Sequence, residues 1–405
     1  MTSGGGTHDG LRVLYLVKTS TGALWAVRQV RDHVHLGVDA HIGLPAGGPT
    51  IARYEAGGAT THLLPTDVPV KRPWAAPAIF KGLRALVDRV EPDLIHSYHV
   101  STAVTVRLAL GRRHPIPRVF QVPGPLHLEH RFFRTAEIAS AGPHDYWIGT
   151  CNSIRDFYRA AGIPEGRLFV SDYGVDLEDH VSHAKGKLRA AIGVGPEKTL
   201  VGMVGIMYPP KRFLLQTRSL KGHEDLIDAL ALVMRGRPEV MGIFIGGAWN
   251  DAAAYEERVR AYGRAKCGDR VAFLGMRDDV PELLPDFDIA VQPSHTEGVA
   301  GTAVEAQLLD VPVVATNVGG QPDLIVDGET GWLVPPKDPA ATAAAILDAL
   351  SDPERTRRIA ARGHERAAAC FNGKINNAAV VAIYGTILER EGDARDVSAF
   401  RQTTA

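Results

Sequence analysis

Two glutamates eight positions apart, Glu297 and Glu305, are the residues of this chain best placed to do chemistry. They lie in the stretch PSHTEGVAGTAVEA, between the apolar segments 289–292 and 312–315, which predicts a strand-to-helix junction. The small residues between them let the backbone approach a ligand closely and leave free N–H groups at the helix start, which suits a phosphate. We expect Glu297 in the loop and Glu305 about two turns into the helix. One carboxylate would accept hydrogen bonds from a sugar and the other from a ribose diol. The alternative is that Glu305 is only a surface charge, but polarity of this kind between apolar strands is unusual.

The composition describes a globular protein with almost no net charge. Its 405 residues include 45 Lys and Arg against 46 Asp and Glu, and 45% of them are hydrophobic. The length exceeds what one ordinary core supports, so two domains are expected. The balanced charge gives no reason to expect nucleic acid as a partner.

The sequence shows neither a membrane span nor a secretion signal. No apolar run reaches the length of a spanning helix, and the first ten residues lack the charged and apolar regions of a signal peptide. The three cysteines, Cys151, Cys267 and Cys370, are scattered and show neither a disulfide framework nor zinc spacing. These features favour a reducing, cytoplasmic location.

Short apolar segments alternate with helical patterns along the chain, which is typical of parallel βα units. In the first half the predicted strands are 12–17, 40–44, 94–97, 119–122, 146–149 and 168–171. In the second half they are 200–204, 242–245, 271–274, 289–292 and 313–315. Each is apolar on both faces, so helices should cover both sides of each sheet. We therefore predict an α/β protein with two Rossmann-like, doubly wound domains that face a central cleft. Ligands should bind beyond the carboxyl ends of the strands.

The domain boundary is expected in the polar, helix-poor stretch 176–198, which we interpret as a linker. The first domain would then comprise residues 1–180 and the second residues 181–374. The C-terminal segment 375–391 has a helical pattern and is apolar enough to pack back onto the first domain.

The first predicted strand continues into the turn KTSTGAL, in which Gly22 permits a close backbone approach to a ligand. The turn lacks the GxGxxG pattern of dinucleotide binding. The second strand ends in Gly43 and Leu44, with no acidic residue for a ribose. Both features count against a nicotinamide oxidoreductase.

Several histidines of the first domain follow predicted strands. His127 lies in the loop PGPLHLEH, which Pro and Gly stiffen, and there it could exchange hydrogen bonds with a substrate hydroxyl. A loop histidine that caps backbone groups is an equally good interpretation. His96 and His99 also end a strand and could line the same edge of the sheet. His33 and His35 lie mid-helix, where a surface or packing role is expected, and no histidine has the spacing of a metal site.

A basic segment precedes the first helix of the second domain, with Lys211, Arg212, Arg218 and Lys221. Cations beside a helix N-terminus would neutralise a diphosphate from two directions. A solvated basic loop is the alternative, which is favoured for Arg212 and less so for Lys221 because Lys221 adjoins the predicted helix.

Two further motifs are assigned other roles. The sequence Asp286-Phe287-Asp288 resembles a DxD metal motif, but it precedes a strand and so lies at the wrong edge of the sheet; we interpret it as structural. The segment 72–89 is a basic helix with an apolar face. It is expected to be a solvated domain surface, with peripheral contact to an anionic membrane as the second interpretation.

Taken together, these residues resemble the family-4 glycosyltransferases, whose fold is the two-domain GT-B fold. The resemblance is strongest from residue 200 to about residue 350. The motifs that carry it are KGHE (221–224), FIGG (244–247), FLG (273–275), the Glu297-x7-Glu305 pair, PVVATNVGG (312–320) and DGETGWLV (327–334). The first half is similar more loosely, through Gly22, PDLIH (92–96) and GVD (174–176).

The resemblance implies retaining transfer of a sugar from a nucleotide-diphosphate sugar, with no metal or other cofactor and with uridine favoured over guanosine. Glu305 would hold the ribose and Glu297 the donor sugar, while His127 would lie near the reacting sugar. The expected catalytic residues are therefore His127 and Glu297. Lys221 would pair with the diphosphate, and Gly22 would let the loop of the first domain close on it. The backbone N–H groups that would contact sugar and phosphate belong to Val299, Ala300, Gly301 and Thr302.

The chain departs from the family pattern at three places. The usual glycine pair after the first strand is Thr21-Gly22 here, and Tyr173 replaces the usual Asn before Gly174. Ile206 occupies the position of the family's arginine after the Val-Gly strand end. We therefore hypothesise that Lys211 or Arg218 supplies the second phosphate cation.

The acceptor is expected to be a small molecule or a membrane-proximal group bound by the first domain. A sugar-nucleotide epimerase or hydrolase of the same fold is the first alternative. A subunit that binds a sugar nucleotide without catalysis is the second, although the intact glutamate pair argues against it.

Overall fold

The computed structural model of the chain describes residues 10–69, 71–180, 184–210, 216–249 and 252–392. These residues form two compact units. The first unit contains the described residues up to Gly174 and those from Gly373 onward, and the second unit is Val175–Asn372. Each unit is a parallel sheet covered by helices.

The sheet of the first unit has seven described strands in the order β3-β2-β1-β4-β5-β6-β7. They are β1 (Arg12–Leu16), β2 (Asp39–Leu44), β3 (Thr60–Leu63), β4 (Leu94–Ser97), β5 (Arg118–Val122), β6 (Asp145–Gly149) and β7 (Leu168–Val170). The helices are α1 (Leu24–His35), α2 (Thr50–Ala56), α3 (Ala76–Val90), α4 (Val100–Leu110), α5 (Leu126–Glu129), α6 (Arg131–Ser140), α7 (Asn152–Ala160) and, from the C-terminal part of the chain, α16 (Gly373–Glu391). The order reverses beside β1, as in a doubly wound sheet.

The second unit repeats this plan with six described strands in the order β10-β9-β8-β11-β12-β13. They are β8 (Thr199–Val204), β9 (Val240–Ile245), β10 (Val271–Gly275), β11 (Ile289–Gln292), β12 (Val313–Thr316) and β13 (Trp332–Val334). The helices are α8 (Lys187–Ile192), α9 (His223–Gly236), α10 (Ala253–Cys267), α11 (Val280–Leu283), α12 (Gly301–Leu308), α13 (Gln321–Leu324), α14 (Pro339–Ser351) and α15 (Pro353–Cys370). The predicted α/β class, with two Rossmann-like domains, is confirmed.

Alternation along β1 explains why both faces of the first sheet are covered. Val13 and Tyr15 pack into a core that includes residues of α1 and α16. Leu14 and Leu16 point to the opposite face and pack with residues of α3 and α4. Successive side chains of a strand point to opposite faces, so a strand that is apolar at every position requires two helical layers.

Helix α16 is an integral part of the first unit. Asn377 Nδ2 donates to Asp32 Oδ2 at 2.7 Å, and the Tyr384 hydroxyl lies 2.5 Å from Nδ1 of His96. All four side chains are buried. The unit therefore begins its last helix at Gly373, two residues before the segment 375–391 that the sequence pattern singled out.

The segment 176–198, expected to be a linker, contains α8 and is built into the second unit. Asp286 accepts hydrogen bonds from the backbone N–H groups of Gly186 and Leu188 at 2.6 and 2.7 Å, and Leu188 is fully buried. Asp288 accepts from the backbone N–H of Leu200 at 2.7 Å. The two aspartates thus hold the start of α8 and the start of the central strand β8 in place, in agreement with the structural role inferred for them.

The apolar face of α3 is buried, which accounts for the amphipathic pattern of residues 72–89. Ile79, Leu83, Leu86 and Val87 belong to the core of the first unit. Trp74, just before α3, is 75% exposed. Among the described residues, no helix combines the length and the apolarity needed to cross a membrane.

Candidate functional site

The predicted strand-to-helix junction lies at the carboxyl end of β11. Glu297 lies in the loop after this strand, and Ala300 is the N-cap of α12. The backbone N–H groups of Ala303 and Val304 bond to the carbonyl of Ala300, while the N–H groups before them have no intrahelical partner. Glu305 is the fifth residue of α12, so it lies about one turn into the helix rather than two. The prediction placed the helix start too early, because the small residues before Gly301 form part of the loop.

Lys221 and Glu297 form an ion pair at this edge of the sheet. Nζ of Lys221 lies 2.7 Å from Oε2 and 3.0 Å from Oε1 of Glu297. The side chains are 26% and 13% exposed, so the pair is partly shielded but still reachable from solvent. Lys221 directly precedes Gly222, the N-cap of α9. A cation, a carboxylate and the starts of two helices are therefore gathered at one place in the second unit.

A chain of hydrogen bonds connects Glu297 to the end of β11 and the first turn of α12. Ser294 Oγ donates to Glu297 Oε2 at 2.9 Å, and Gln292 Nε2 donates to Ser294 Oγ at 2.9 Å. Thr302 Oγ1 donates to Gln292 Oε1 at 3.0 Å, which ties the first turn of α12 to the end of β11. Gln292 and Ser294 were not singled out from the sequence, although a glutamine that ends a buried apolar strand is the signal that could have identified them.

Two glycines allow neighbouring segments to approach the site loop. Gly222 has φ of +73°, and a Cβ there would lie 2.0 Å from the carbonyl oxygen of Pro293. Gly319 has φ of +55°, and a Cβ there would lie 1.7 Å from the carbonyl oxygen of Glu297. Any other residue would clash with backbone at either position, so both glycines are needed for the loop to keep its place.

Arg218 does not point its charge into open space. Its Nη1 lies 2.8 Å from Asp225 Oδ1, and its Nη2 lies 2.8 Å from Asp228 Oδ2. Asp225 also lies 2.5 Å from Nε2 of His295, two residues before Glu297. The hypothesis that Arg218 supplies a second phosphate cation thus requires these ion pairs to open. Lys211 lies outside the described residues.

Tyr208, after β8, is a site residue that sequence reasoning missed. Burial raises the pKa of its hydroxyl, and the charges of Lys221 and Glu297 act on it with opposite signs. Its ring centroid lies 5.8 Å from that of Trp249, which is 43% exposed. An aromatic pair beside the ion pair offers a surface on which a planar or ring-shaped ligand group could stack. No spacing rule in the sequence identifies such a pair.

In the first unit, Gly22 lies in a backbone turn after β1. Gly22 has φ of +73°, and Ala23, the N-cap of α1, has φ of +51°. A positive φ is unfavourable for alanine and costs about 1–3 kcal/mol, so the surrounding structure must impose this turn. The expected turn is therefore present at the N-terminus of α1, and its close approach to a ligand stays a prediction.

His127 lies on the short helix α5, after β5, and is half-buried. Its Nε2 lies 3.2 Å from the Tyr158 hydroxyl, and its ring packs against Phe120 with centroids 5.7 Å apart. Burial lowers the pKa of His127 from 6.5 to about 4. The imidazole is therefore neutral near pH 7, where it can accept as well as donate a hydrogen bond.

The other histidines at strand ends differ from each other. His96 is fully buried and bonds to Tyr384, so its expected place along the edge of the sheet is wrong: the strand turns this side chain into the core. His99 is the N-cap of α4 and is half-buried, with Nδ1 3.4 Å from the backbone nitrogen of Lys18. Burial and then the charge of Lys18 lower its pKa to about 4. His33 is buried in the core, as a packing role implies.

The predicted site residues thus form one group in each unit. In the second unit, the structure brings together Lys221, Glu297 and the start of α12, with Glu305 one turn further along that helix. In the first unit, Gly22 and His127 follow separate strands of the same sheet.

Family models match both units. Residues 25–179 match the family described as Glycosyltransferase Family 4, and residues 212–352 match the one described as Glycosyl transferases group 1. The two matches follow each other in the order of the two units. The chain belongs to the family-4 type of glycosyltransferases with the GT-B fold.

Curated relatives are similar over part of their length. A lipopolysaccharide core biosynthesis mannosyltransferase, LpsB of Rhizobium meliloti, is 28% identical over 207 residues, which are 50% of this chain and 56% of the relative. A D-inositol 3-phosphate glycosyltransferase of Mycobacterium sp. (strain KMS) is 33% identical over 233 residues, which are 57% of this chain and 48% of the relative. The chain spans about half the length of the curated relatives it matches.

Solved structures share the fold across nearly the whole chain. Anabaena Alr3699/HepE in complex with UDP-glucose superimposes with a TM-score of 0.77 at 23% identity, covering 93% of this chain and 100% of that one. The sucrose-phosphate synthase of Thermosynechococcus elongatus gives a TM-score of 0.75 at 19% identity, covering 94% and 100%. At these identities the likeness establishes the fold.

Proposed function

We propose that this chain is a retaining glycosyltransferase that moves a sugar from a nucleotide-diphosphate sugar to a hydroxyl of a small-molecule or membrane-proximal acceptor, without a metal. The observation that carries the proposal is the Lys221–Glu297 ion pair beside the starts of α9 and α12. Uridine is the favoured base. The UDP-glucose named with a structural neighbour supports this base, and the names of the curated relatives support sugar transfer.

The donor would bind along the carboxyl edge of the second sheet. The diphosphate is placed near Lys221 and the backbone N–H groups of Val299, Ala300, Gly301 and Thr302, which lead into the first turn of α12, because a helix start carries a partial positive charge. Glu305 is assigned to the ribose hydroxyls.

Glu297 is assigned to the donor sugar. Its carboxylate already accepts from Lys221 and Ser294. Two carboxylate oxygens provide about four acceptor positions, so capacity for a sugar hydroxyl remains. Lys221 therefore serves two purposes: it fixes the orientation of Glu297 and carries the charge that a diphosphate needs.

The reaction follows from the charge that it creates. The bond between the sugar's anomeric carbon and the phosphate oxygen breaks, and its electron pair leaves with the diphosphate. The acceptor oxygen forms its bond on the same face of the sugar, and its proton passes to the departing phosphate oxygen. Lys221 and the helix starts stabilise the growing negative charge, so no protein base is strictly required. His127, neutral near pH 7, would hydrogen-bond the reacting sugar.

Membrane contact by residues 72–89 belongs to the same proposal on the acceptor side. The apolar face of α3 is used for packing, so contact would rest on exposed Trp74 and on exposed cations such as Lys71, Arg72 and Lys81. An interfacial tryptophan with nearby cations suits an anionic surface. Sedimentation with vesicles of phosphatidylglycerol and phosphatidylcholine tests this, and equal recovery with pure phosphatidylcholine would contradict it.

Thermal unfolding with UDP, GDP and NAD tests the donor assignment. A ligand that binds only the native state raises the melting temperature, so UDP should stabilise the protein more than GDP, and NAD should have no effect. Glu305→Ala should abolish the shift, whereas Glu365→Ala, at an exposed glutamate of α15, should leave it intact. An unchanged shift in Glu305→Ala would remove the assignment of the ribose.

A further inference from the structure

A buried charge network lies near the helix that carries His127. Arg107 Nη1 lies 2.5 Å from Glu137 Oε1, and Arg107 Nε lies 2.9 Å from Asp145 Oδ1. Arg118 joins the same Asp145 at 2.8 Å. These four side chains are at most 2% exposed. Both Glu137 and Arg107 act electrostatically on the imidazole of His127, the carboxylate favouring its protonated form and the guanidinium opposing it.

One carboxylate oxygen of Glu137 lacks a hydrogen-bond donor among the described residues. Glu137 Oε1 accepts from Arg107 and, at 2.9 Å, from the indole N–H of Trp147. Glu137 Oε2 is buried and has no hydrogen-bond partner of ordinary geometry among the described residues. The Tyr158 hydroxyl lies beside this carboxylate. Burial, and then the charge of Glu137, hold the pKa of Tyr158 well above its usual value.

Tyr158 has one proton and two neighbours that could accept it, Glu137 and Nε2 of His127. A hydrogen bond to a carboxylate is roughly twice as strong as one between neutral groups. Leaving a buried carboxylate oxygen unsatisfied costs about 1–3 kcal/mol or more. We therefore expect the Tyr158 hydroxyl to keep its hydrogen and to direct it toward the Glu137 carboxylate. The phenol oxygen is then an acceptor toward His127, and the 3.2 Å contact requires a hydrogen on Nε2.

We propose that Tyr158 and Glu137 are positioning residues that hold His127 as the Nε2–H tautomer, which leaves Nδ1 as a bare hydrogen-bond acceptor for a hydroxyl of the substrate. Among the described residues, none donates to Nδ1 of His127. A neutral imidazole fixed in this way accepts a hydrogen bond from a substrate group that can donate one. It discriminates against a group that can only accept a hydrogen bond. The hydroxyl-reading role rests on the proposed function, whereas the tautomer does not.

The tautomer can be measured directly on the full chain labelled with ¹⁵N-histidine. Long-range ¹H–¹⁵N spectra separate protonated from bare ring nitrogens, and the signal of His127 is assigned by its loss in His127→Gln. We expect a single Nε2–H tautomer at pH 7.5. In Tyr158→Phe, which keeps the ring against Trp147 and removes the hydroxyl, the signal should move toward a mixture of tautomers.

Tyr98→Phe is the matched control, because Tyr98 is a buried tyrosine of the same unit whose hydroxyl has no partner among the described residues. Its spectrum should match that of the wild type. An Nδ1–H tautomer in the wild type would overturn the proposal, and so would an unchanged tautomer in Tyr158→Phe. If Tyr158→Phe does not fold, the wild-type tautomer alone decides.

Kinetics with UDP-glucose and its singly deoxygenated analogues test the hydroxyl-reading role. Tyr158→Phe should lower kcat about tenfold, the size of one ordinary hydrogen bond, with a smaller effect on KM. It should also reduce the wild-type preference for the intact sugar over the analogue that lacks the hydroxyl read by His127. Unaltered discrimination would overturn this role. Full turnover in His127→Ala would also overturn this role. By contrast, a wild-type protein that transfers no sugar and whose melting temperature UDP does not raise would contradict the proposed function, while leaving the spectroscopic result standing.

Discussion

Lys221 Nζ lies within hydrogen-bonding distance of both carboxylate oxygens of Glu297, at 2.7 and 3.0 Å, although 76 positions separate the two residues in the chain. The contact joins the loop before α9 to the loop before α12. When no sugar nucleotide is bound, the charges of Lys221 and Glu297 neutralise each other, so neither charge is left unpaired at a partly buried site. When a diphosphate binds, the same lysine can share its three hydrogens between phosphate and carboxylate.

The first prediction concerns the charge of this lysine. Lys221→Met should lower kcat by about 100-fold, because removing one preorganised group that stabilises transition-state charge has an effect of this order. It should also weaken UDP binding, measured by calorimetry. The partly buried Glu297 loses its counter-charge, so a lower melting temperature is expected as well.

Lys266→Met is the control for this substitution. Lys266 lies on α10 of the same unit and forms an ion pair with Asp228 at 3.2 Å. Losing an exposed ion pair of this kind has little effect on stability. If Lys221→Met and Lys266→Met show the same turnover, Lys221 is not part of the transition-state environment.

A second prediction uses Gly319. Gly319→Ala should destabilise the second unit by about 1 kcal/mol for the positive φ, and by a further ~1–3 kcal/mol because the Cβ would press on the carbonyl of Glu297. Gly328 is a matched control, since its φ is +71° but a Cβ there meets nothing within 4 Å. Thermal unfolding and turnover of both variants separate the two effects. Equal behaviour would mean that the contact with the site loop has no influence.

The sequence predicted the strands that are apolar throughout, because burial on both faces leaves a clear signal. It missed β3, whose residues Thr60–Leu63 are mostly polar, because this strand lies at the edge of its sheet. It also missed the three-residue strand β13. An edge strand has one neighbour and needs less apolar surface, so composition alone does not distinguish it from a loop.

The candidate site shows the same division between local pattern and long-range contact. The loop and helix around Glu297 follow from local sequence, since small residues between an apolar strand and a helix have few other uses. The pairing of Lys221 with Glu297, by contrast, depends on how two βα units align in the sheet. His96 illustrates a different error, in which a strand-end residue was expected to face a ligand. The alternation of side chains along the strand instead turns it toward Tyr384 in the core. Arg218 is paired with Asp225 and Asp228, in the first two turns of α9, and the presence of a cation in the sequence does not predict these partners.

The third prediction concerns stability against acid. His223 is fully buried at the start of α9, and burial lowers its pKa from 6.5 to about 4. The unfolded chain therefore binds a proton between these values that the folded chain does not. The associated stability is complete above about pH 6.5 and is lost as the pH falls toward 4, by up to about 3 kcal/mol for this histidine.

Replacing the imidazole with a neutral group of similar size tests this. In His223→Gln, the fall in melting temperature between pH 7 and pH 4.5 should be smaller than in the wild type. His35→Gln, at an exposed histidine of α1, controls for the loss of a histidine as such. A pH profile that is the same in His223→Gln and the wild type would contradict the assignment.

The fourth prediction separates two candidates for the second phosphate cation. Arg218 already holds Asp225 and Asp228, so using it for a phosphate would require breaking both ion pairs. Lys211→Ala should therefore weaken UDP binding by roughly tenfold, which corresponds to about 1.4 kcal/mol. Arg218→Ala should instead act through the loop that carries Glu297, because Asp225 also bonds His295 in that loop. It should lower the melting temperature more than it changes UDP affinity.

Calorimetric titration and thermal unfolding of both variants measure the two effects. If affinity falls in Arg218→Ala and not in Lys211→Ala, the assignment is reversed, and if it falls in neither, the second cation lies elsewhere in the chain.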